Sequence, residues 1–432
     1  MAAEVQTFEK VVVGSWERLR SHSDSAIALT LWLLAPVQAI MWVLYEEVGA
    51  LESALVLVPV PVLWLAIVVP VVLRRGDELR PRADGVSAWG LAANLAIFVV
   101  AAFIWERDAF TVGLVFGSIF ALGAVGLTLI YGILKFGHFA HGDTMMVSAY
   151  IAFFFLFGFV VGERPSDQAT ILPVTVTDLP GADSTIWKLS FGYGLLIAMV
   201  LTAFVMAGLF VGLDRLVYKP LRERGSGIVI FAIASLGLAI SMRSLILVLY
   251  GPNPRYYAPG IRERIDLPFD MSLLADQVFI LVAAVVVTIA VYVLLYWTKL
   301  GKAMRAMADN PDLAKVSGIN TDRIIIWTWV VAGCLVAIAG VLLALQAQLD
   351  SDLGFILLLP LFAAAILGGI GSPQGAFVGG MIIGIVQEVS VTADIDFIRD
   401  NFPGPGYKFS VAFIILIMIL LLRPRGLFGA KT

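Results

Sequence analysis

The sequence predicts an all-α protein that crosses a membrane many times, in about 11–12 segments. Of its 432 residues, 60% are hydrophobic and only 14% are charged, and the mean hydropathy is +0.94. Soluble domains carry about a quarter charged residues, so this composition indicates an integral membrane protein. Most apolar runs approach the length of about 20 residues at which a helix spans a bilayer, whereas barrel strands are about half as long.

The candidate spans follow one another along the chain. They lie at residues 26–45, 54–73, 88–105, 110–133, 145–161, 193–217, 228–250, 278–298, 325–348, 355–370, 375–387 and 409–422. The runs at 355–370 and 375–387 are short and joined by an uncharged, glycine-rich link. They are either two tilted spans or a re-entrant pair, and they predict glycine-broken segments in the core of the fold.

The distribution of Lys and Arg predicts that both the N- and C-termini are cytoplasmic. With this orientation, the inner connections hold more than twice as many Lys and Arg residues as the outer ones, in agreement with the positive-inside rule. The polar segment 302–320 then faces the cytoplasm, whereas the connections 162–190 and 251–277 face the opposite side. Neither of these two connections is long enough to fold as a separate domain.

Composition and missing motifs exclude several classes of function. The net charge of −3 gives no indication of nucleic-acid binding. The sequence contains no GxxxxGK[ST] phosphate loop, nucleophile elbow or HExxH motif, so nucleotide hydrolysis by that loop is excluded. The single cysteine, Cys334, rules out an intrachain disulfide. No signal-peptide pattern is present near the N-terminus, and the first span is expected to act as the signal.

The polar segment 302–320 carries the signals of a capped helix. Asn310 is a good N-cap, Pro311 suits the first helical position, and Asp312 places a negative charge in the first turn. Gly318 then supplies the left-handed residue at which helices commonly end. We therefore expect about two turns of helix between these caps.

The expected helix presents apolar side chains on one face, because Leu313 and Val316 stand three residues apart. Two interpretations are open from the caps alone. The helix is either a docking surface for a partner protein or an ordinary helix that lies in the lipid headgroups.

A histidine-containing segment at residues 135–143, KFGHFAHGD, interrupts the helical pattern between two apolar runs. Gly137 and Gly142 bracket Phe139 and Ala140. Non-helical backbone at membrane depth is tolerated only where protein covers it or where it lines a wet cavity. The segment is therefore either a cytoplasmic turn or a structural element of a permeation path.

The two histidines of this segment, His138 and His141, also raise the question of a metal site. With three histidines and one cysteine in the whole chain, a third ligand is hard to find, and we predict no metal. In a cytoplasmic turn both histidines would be solvated. Asp143 can cap the next helix, which is then expected to begin at Thr144.

A glycine-rich segment at residues 368–384, GGIGSPQGAFVGGMIIG, has a four-residue glycine spacing that lets helices approach backbone to backbone. Pro373 interrupts the helix and frees backbone groups that could face a substrate. Tight packing and a role in a substrate pathway explain this pattern equally well. The candidate pathway residues of the two segments are Gly137, Phe139, Ala140, His141, Gly142, Gly368, Gly369, Gly371, Ser372 and Gly375.

Arg243 lies within the candidate span 228–250, about 10 Å before its outer end. No acidic residue lies deep enough in a span to pair with it, so we expect its side chain to snorkel to the interface beside Tyr250. Carriers driven by protons or sodium ions usually need carboxylates inside the membrane. The chain therefore has no evident energy source of its own.

Three segments, together and in this order, carry a family resemblance. They are GLTLIYGILKFGHFAHGDTMMVSAY (126–150), LGKAMRAMADNPDLAKVSGINTDRII (300–325) and AAAILGGIGSPQGAFVGGMIIGI (363–385), and the run LLLRPRGLFG (420–429) accompanies them. They resemble the permease subunits of branched-chain amino acid ABC transporters, the membrane component called LivH. The resemblance covers about residues 108–429.

The resemblance implies a permease subunit of an ATP-driven (ABC) importer for branched-chain or other hydrophobic amino acids, in the bacterial cytoplasmic (inner) membrane. A periplasmic substrate-binding protein delivers the ligand, and a second, LivM-like permease subunit completes the path. Two cytoplasmic ATPase subunits use the ATP and Mg²⁺. The chain itself is then no enzyme and binds no cofactor or nucleic acid, and its remaining partner is membrane lipid.

The resemblance also implies where the ATPase acts. The coupling motif of ABC permeases, acidic-x-Ala-x₃-Gly, is matched by Asp312, Ala314 and Gly318. The capped helix would then dock on an ATPase and transmit its closure to the adjoining spans. The implied coupling residues are Ala306, Asp312, Leu313, Ala314, Val316 and Gly318.

The resemblance divides the chain into two parts. Residues 1–107 are expected to be an N-terminal extension with about three extra membrane helices. Residues 108–432 are the LivH-like permease domain, which includes the coupling loop at 299–323. Urea and short-chain amides are the runner-up substrates, and a stand-alone secondary carrier is the alternative mechanism. A membrane enzyme would need a reactive group of side chains that the sequence lacks.

Overall fold

The computed structural model describes most of the chain beyond the predicted extension. The described residues are 95, 99, 100, 102, 103, 106–158, 160, 161, 169, 170, 175–182, 184–257, 262–267, 271–392, 408–422 and 426–428. The predicted extension at 1–107 lies almost wholly outside these residues, so its three helices stay a prediction.

Helices dominate the described part of the chain. They are α1 (Arg107–Leu134), α2 (His141–Phe157), α3 (Tyr193–Leu213), α4 (Lys219–Glu223), α5 (Ile228–Tyr250), α6 (Ala275–Trp297), α7 (Lys299–Asp309), α8 (Pro311–Val316), α9 (Thr321–Gln346), α10 (Leu353–Gly368), α11 (Pro373–Thr392) and α12 (Lys408–Leu422). A π-helical turn, Asp214–Tyr218, joins α3 to α4, and a 3₁₀ turn occupies Val176–Asp178.

Two small antiparallel hairpins lie in the longer connections, which the all-α prediction did not include. Strands β1 (Val160–Val161) and β2 (Ala169–Thr170) follow α2, and strands β3 (Arg264–Leu267) and β4 (Met271–Leu274) precede α6. The hairpins are short, and each of the described segments that is long and apolar enough to span a membrane is a helix.

Five of the described helices are long and apolar enough to cross a membrane, namely α1, α3 with its extension through α4, α5, α6 and α9. Two further apolar helices, α2 and α10, are shorter than a full span. The predicted polytopic helical membrane protein is thereby confirmed.

Helices α1 and α9 form the centre of the described fold, and both are almost wholly buried, whereas α3, α5 and α6 are largely exposed around them. Small residues allow α1 to be surrounded so closely. A Cβ atom added to Gly113 would lie 2.7 Å from the Cα atom of Ile385 in α11, and one added to Gly117 would lie 2.8 Å from the Met381 carbonyl oxygen. Both distances are too short for non-bonded atoms, so these positions require glycine.

The glycine-rich segment 368–384 forms a tight helical hairpin between α10 and α11. Gly368 faces Gly375 so closely that a side chain on either would clash with the backbone of the other. Gly380 and Gly384 pack in the same way against α1. Close backbone approach therefore accounts for the four-residue glycine spacing, as the tight-packing interpretation predicts.

Candidate functional site

The first candidate element is a non-helical segment, residues 135–140, that folds back into the helical core. The Nε2 atom of His141 lies 2.8 Å from the carbonyl oxygen of Gly123. Gly123 stands 11 residues before Leu134, the last residue of α1, which corresponds to about 16 Å along the helix. The chain therefore returns about half the depth of a membrane before α2 begins.

Helix α2 begins at His141, which corrects the expectation that it begins at Thr144 with Asp143 as its cap. Asp143 instead lies in the first turn of α2 and is buried. The helix begins earlier because packing around His141, which no local capping signal encodes, holds its first turn in the core. Because α2 starts at this depth, it is only 17 residues long.

His138 and His141 are fully buried, so the interpretation as a solvated cytoplasmic turn is wrong. The ring of His138 lies within 5.5–6.2 Å, between ring centroids, of five other rings, those of Phe136, His141, Phe210, Tyr218 and Trp329. These rings come from three different parts of the chain. Among the described residues, no three His, Cys, Asp or Glu side chains are grouped closely enough to hold a metal ion.

The aromatic surroundings of His138 include one strongly polar contact. Trp329 donates its indole N–H to a carboxylate oxygen of Asp214 at 2.8 Å. The same carboxylate accepts two hydrogen bonds from the guanidinium of Arg222, at 2.7 and 3.1 Å. This bidentate pair connects the buried end of α3 to α4.

The first non-helical segment packs against α5 and α10. The backbone N–H of Phe139 donates a hydrogen bond to the Ser235 hydroxyl oxygen at 3.1 Å. The Phe139 ring stacks on that of Phe362, with centroids 5.2 Å apart. Of the predicted pathway residues here, Gly137 and Phe139 are partly exposed, whereas Ala140, His141 and Gly142 are buried. Their role in a pathway stays a prediction.

A second non-helical segment, residues 347–352, lies between α9 and α10, close to the gap between the candidate spans at 325–348 and 355–370. Its return into the core was not predicted. Leu349 and Arg255 exchange two backbone hydrogen bonds, at 2.8 and 3.0 Å. The Tyr256 hydroxyl donates to the side-chain oxygen of Gln348 at 2.8 Å. The available signal was the run LDSDLG at residues 349–354, in which two acids and a glycine separate two apolar stretches.

The two non-helical segments bring the N-termini of α2 and α10 together. A Cβ atom added to Gly354 would lie 2.5 Å from the Cα atom of Asp143, and one added to Gly142 would clash with the Gly354 carbonyl. The far end of α10 lies beside the end of α1, since Gly371 is within 3.9 Å of a Cβ placed on Gly132. Helices α2 and α10 therefore run in opposite directions from a shared level inside the membrane.

The hairpin between α10 and α11 holds the remaining predicted pathway residues. Ser372 accepts the backbone N–H of Gly375 at 3.2 Å and so caps α11. Gly371 has a left-handed φ of +91° and is exposed. Gly368, Gly369 and Gly375 are buried within the hairpin. Packing explains these positions, and a pathway role for them stays a prediction.

The predicted coupling loop, residues 299–323, forms two short helices with the expected caps. Asn310 accepts the backbone N–H of Leu313 at 3.0 Å, which confirms it as the N-cap of α8. Gly318 has φ +84°, which confirms the left-handed stop. The preceding helix, α7, was not predicted, and Thr298 caps it by accepting the Gly301 N–H at 3.0 Å.

Helix α8 buries one small residue and exposes two apolar ones. Ala314 is 3% exposed, and α8 contacts α7 and α9. Leu313 and Val316 are 63% and 86% exposed, although each is a residue that folded proteins usually bury. Ala306, in α7, is half-buried, and its carbonyl accepts the Asn310 N–H at 3.1 Å.

A direct contact links the coupling loop to the first non-helical segment. The Lys135 ammonium donates a hydrogen bond to the carbonyl oxygen of Ala308 at 2.8 Å. Lys135 is the C-cap of α1 and has a left-handed φ of +58°. A displacement of α7 would therefore act on the residue at which the chain turns back into the core.

Comparison with known sequences identifies the family of this chain. The sequence model of the family described as "Branched-chain amino acid transport system / permease component" matches residues 109–422, which include every helix from α2 to α12 and almost all of α1. The chain belongs to this family. The protein is therefore a multi-pass transport permease component, and the resemblance found in the sequence is confirmed.

Individual relatives agree with the family assignment. The chain is 29% identical to the high-affinity branched-chain amino acid transport system permease protein LivH of Escherichia coli, over 73% of this chain and 93% of the relative. It is 30% identical to BraD of Pseudomonas aeruginosa, over 73% and 94%. It is 28% identical to a probable LivH of Methanocaldococcus jannaschii, over 73% and 90%. No solved structure matches the chain.

Proposed function

We propose that this chain is a permease subunit of an ATP-driven importer of branched-chain or other hydrophobic amino acids, located in the bacterial cytoplasmic membrane. Family membership and the names of the relatives support this substrate class and this type of transporter. Urea and short-chain amides are the alternative substrates of the same mechanism. The observation that carries the proposal is the exposed apolar face of α8.

The exposed face of α8 fits a docking surface for an ATPase. Its caps hold the helix in place, while Leu313 and Val316 are exposed on the surface of the described chain. An apolar helix face that enters a groove on a partner is a common mode of recognition. Asp312, Ala314 and Gly318 stand at the positions of the ABC coupling motif, and only Ala314 of these is buried.

Energy for transport would come from separate subunits. The sequence contains no phosphate-binding loop, so ATP and Mg²⁺ would bind to two cytoplasmic ATPases. With both termini in the cytoplasm, as the charge distribution favours, α8 faces these ATPases. The Lys135–Ala308 contact then offers a route from α7 to the core of the permease.

A second permease subunit and a binding protein complete the proposed assembly. Helices α3, α5 and α6 expose large apolar surfaces, which lipid and a LivM-like subunit would cover. A periplasmic binding protein would deliver the amino acid from the opposite side of the membrane. The permease domain at 108–432 would supply one half of the path, and the extension at 1–107 has no assigned role.

The test is a pair of acidic substitutions on the exposed face of α8. We expect Leu313→Asp with Val316→Asp to lower ATP-driven leucine uptake at least about tenfold, because two charges would have to be buried in the groove. The full transporter, with its ATPases, second permease and binding protein, is reconstituted in liposomes for the measurement. Folding and membrane insertion of the variant chain should be unchanged, since both positions are exposed in the described chain.

Lys302→Asp is the matched control, because it introduces an acid at an exposed position of α7 away from this face. It should leave uptake within about twofold of the unmodified transporter, as surface substitutions usually do. Normal ATP-driven uptake by the double variant would refute the coupling role of α8. Leucine uptake by the single chain on an ion gradient alone would favour the secondary carrier instead.

A further inference from the structure

A cluster of three charged residues lies where α2, α5 and α10 meet, and none of the roles described above uses it. The Arg243 guanidinium forms an ion pair with the Asp352 carboxylate. The guanidinium also lies over the ring of Phe355, 5.5 Å from its centroid. This corrects the expectation that Arg243 has no acidic partner. The partner was missed because Asp352 lies 109 residues away in the sequence.

The cluster lies well inside the membrane. Arg243 stands seven residues before Tyr250, the last residue of α5, which is about 10 Å from the helix end. Asp143 lies in the first turn of α2, next to His141 at the level of Gly123. Asp352 is the N-cap of α10. All three charges are therefore at a depth where hydrocarbon would surround an ordinary span.

Charges at this depth need a polar environment. The side chains of Arg243 and Asp352 are 38% and 51% exposed in the described chain. Exposure of an ion pair to lipid costs several kcal/mol, so such residues face a protein interior or a water-filled cavity. Non-helical backbone, which both adjoining segments provide, has the same requirement. The face that carries Arg243 and Asp352 is therefore best explained as the wall of a polar cavity.

Asp143 gives the cluster a hydrogen-bond acceptor that a ligand could use. The residue is 2% exposed, and its Oδ1 atom accepts no hydrogen bond from the described residues. Its carboxylate interacts electrostatically with Arg243 and with Asp352. A buried carboxylate oxygen without a donor is costly. An incoming group with N–H donors and a positive charge would supply what this oxygen lacks.

The helix ends provide the complementary charge. The N-termini of α2 and α10 meet beside the cluster, and each carries a partial positive charge from its unpaired backbone N–H groups. Half-helix N-termini of this kind, facing each other inside a membrane, suit anionic substrate groups. Together with Arg243 they form a positive region directly next to the two carboxylates.

We propose that Arg243, Asp143 and Asp352 form a binding site inside the membrane for the charged groups of an amino acid zwitterion. The α-carboxylate binds Arg243 and the helix N-termini, and the α-ammonium binds the two aspartates. The exposed side chains of Phe355 and Ile356, in the first turn of α10 after Asp352, accept the apolar side chain of the amino acid. This site rests on the proposed import of amino acids, and it assigns the charge recognition to this subunit.

A purely structural ion pair is the competing explanation, and one double variant separates the two. Arg243→Met with Asp352→Leu replaces both charges by apolar side chains of similar size. Such replacements usually preserve or improve folding where a pair is only structural. We expect the double variant to assemble normally but to import leucine at least about tenfold more slowly, as loss of charge-assisted hydrogen bonds predicts. Import at the unmodified rate would overturn the proposal.

Single substitutions of Arg243 test whether its positive charge is needed for uptake. Arg243→Gln should lower the maximal leucine uptake at saturating binding protein by at least about tenfold, and Arg243→Lys, which keeps the charge, should retain more activity. ATP hydrolysis by the reconstituted transporter should persist in both. Equal uptake by the Gln and Lys variants would contradict a role for the positive charge.

Ligand protection tests binding at the permease directly. Ile240→Cys, one turn before Arg243 on α5 and exposed, is combined with Cys334→Ser and reacted with a water-soluble thiol reagent in the transporter without binding protein. Leucine should slow this reaction more than leucinamide or 4-methylpentanoate, which each lack one of the two charges. Lys302→Cys, at an exposed position of α7, is the control that leucine should not protect.

The outcomes distinguish this site from the proposed function. If the transporter imports leucine but leucine does not protect Ile240→Cys, the site is wrong and the proposed function stands. Equal protection by leucine, leucinamide and 4-methylpentanoate would also overturn the site. If the unmodified transporter shows no ATP-driven leucine uptake, the proposed function itself fails.

Discussion

The coupling loop and the junction of α2 with α10 are stabilised in opposite ways. In the coupling loop, the N-caps Thr298 and Asn310 and the left-handed Gly318 all act within three or four residues of their own helix. At the junction, Gly142 meets Gly354, and Arg243 meets Asp352, across more than a hundred residues of sequence. The conformation of the coupling loop is therefore determined by local contacts, whereas the junction of α2 with α10 depends on tertiary packing.

This difference suits the two proposed roles. A surface that docks on a partner has to keep its shape when neighbouring helices move, and local caps provide that independence. A site inside the membrane has to bring charges from distant helices together, and only tertiary contacts can do so. The Lys135–Ala308 hydrogen bond connects the two regions.

The strongest test of the comparison is Gly142→Val. A side chain at this position would clash with the Gly354 carbonyl, so we expect a loss of at least about 3 kcal/mol of folding stability or failure to assemble. Thermal unfolding of the detergent-purified chain measures the effect. Gly208→Ala is the control, because a Cβ there meets none of the described residues within 4 Å, and it should be neutral or slightly stabilising. Equal unfolding temperatures for both variants would contradict tertiary control of the junction.

A smaller effect is expected for Asp214→Ala, in the core beside the His138 rings. This substitution leaves the Arg222 guanidinium and the Trp329 N–H without their acceptor. We expect a destabilisation of about 2 kcal/mol, below the value for a fully buried pair because Arg222 is partly exposed. Lys219→Ala breaks the exposed pair with Glu223 and should cost less than about 0.5 kcal/mol. Similar losses in both variants would argue against a structural role for Asp214.

Gly318→Ala tests the coupling loop without touching the core. Its left-handed φ of +84° disfavours a side chain by about 1 kcal/mol, although no described residue lies within 4 Å of the added Cβ. We expect ATP-driven uptake to fall about fivefold, which corresponds to about 1 kcal/mol, while the unfolding temperature of the chain changes little. A large drop in unfolding temperature would show that the loop and the core are not independent.

The smallest predicted effect belongs to Asn310→Ala. Loss of the side-chain hydrogen bond to the Leu313 N–H should destabilise α8 by about 1 kcal/mol or less. Uptake should fall about two- to threefold, and Asn310→Asp should restore it because aspartate is an equally good N-cap. No recovery with aspartate would point to a direct contact of Asn310 with the partner instead of a capping role.

Regular spans were predictable because their signal is local. The candidate span at 228–250 coincides with α5, Ile228–Tyr250, and the span at 110–133 lies within α1, Arg107–Leu134. The beginning of α2 was predicted three residues late, and the return of the second non-helical segment to membrane depth was not predicted. In both places the chain enters a helix at membrane depth, and the groups that stabilise the preceding non-helical segment come from other parts of the chain.

The sequence alone determined the class of protein, the order of the helices from α1 onwards, the capped helix α8 and, through four short segments, the family. These features depend on composition, on periodic hydrophobicity and on contacts within a few residues. The tertiary structure alone decided that α2 and α10 begin inside the membrane, that His138 and His141 are buried and that Arg243 has a carboxylate partner. Those features arise from contacts between residues far apart in the chain, because only packing the helices around α1 and α9 brings such residues together.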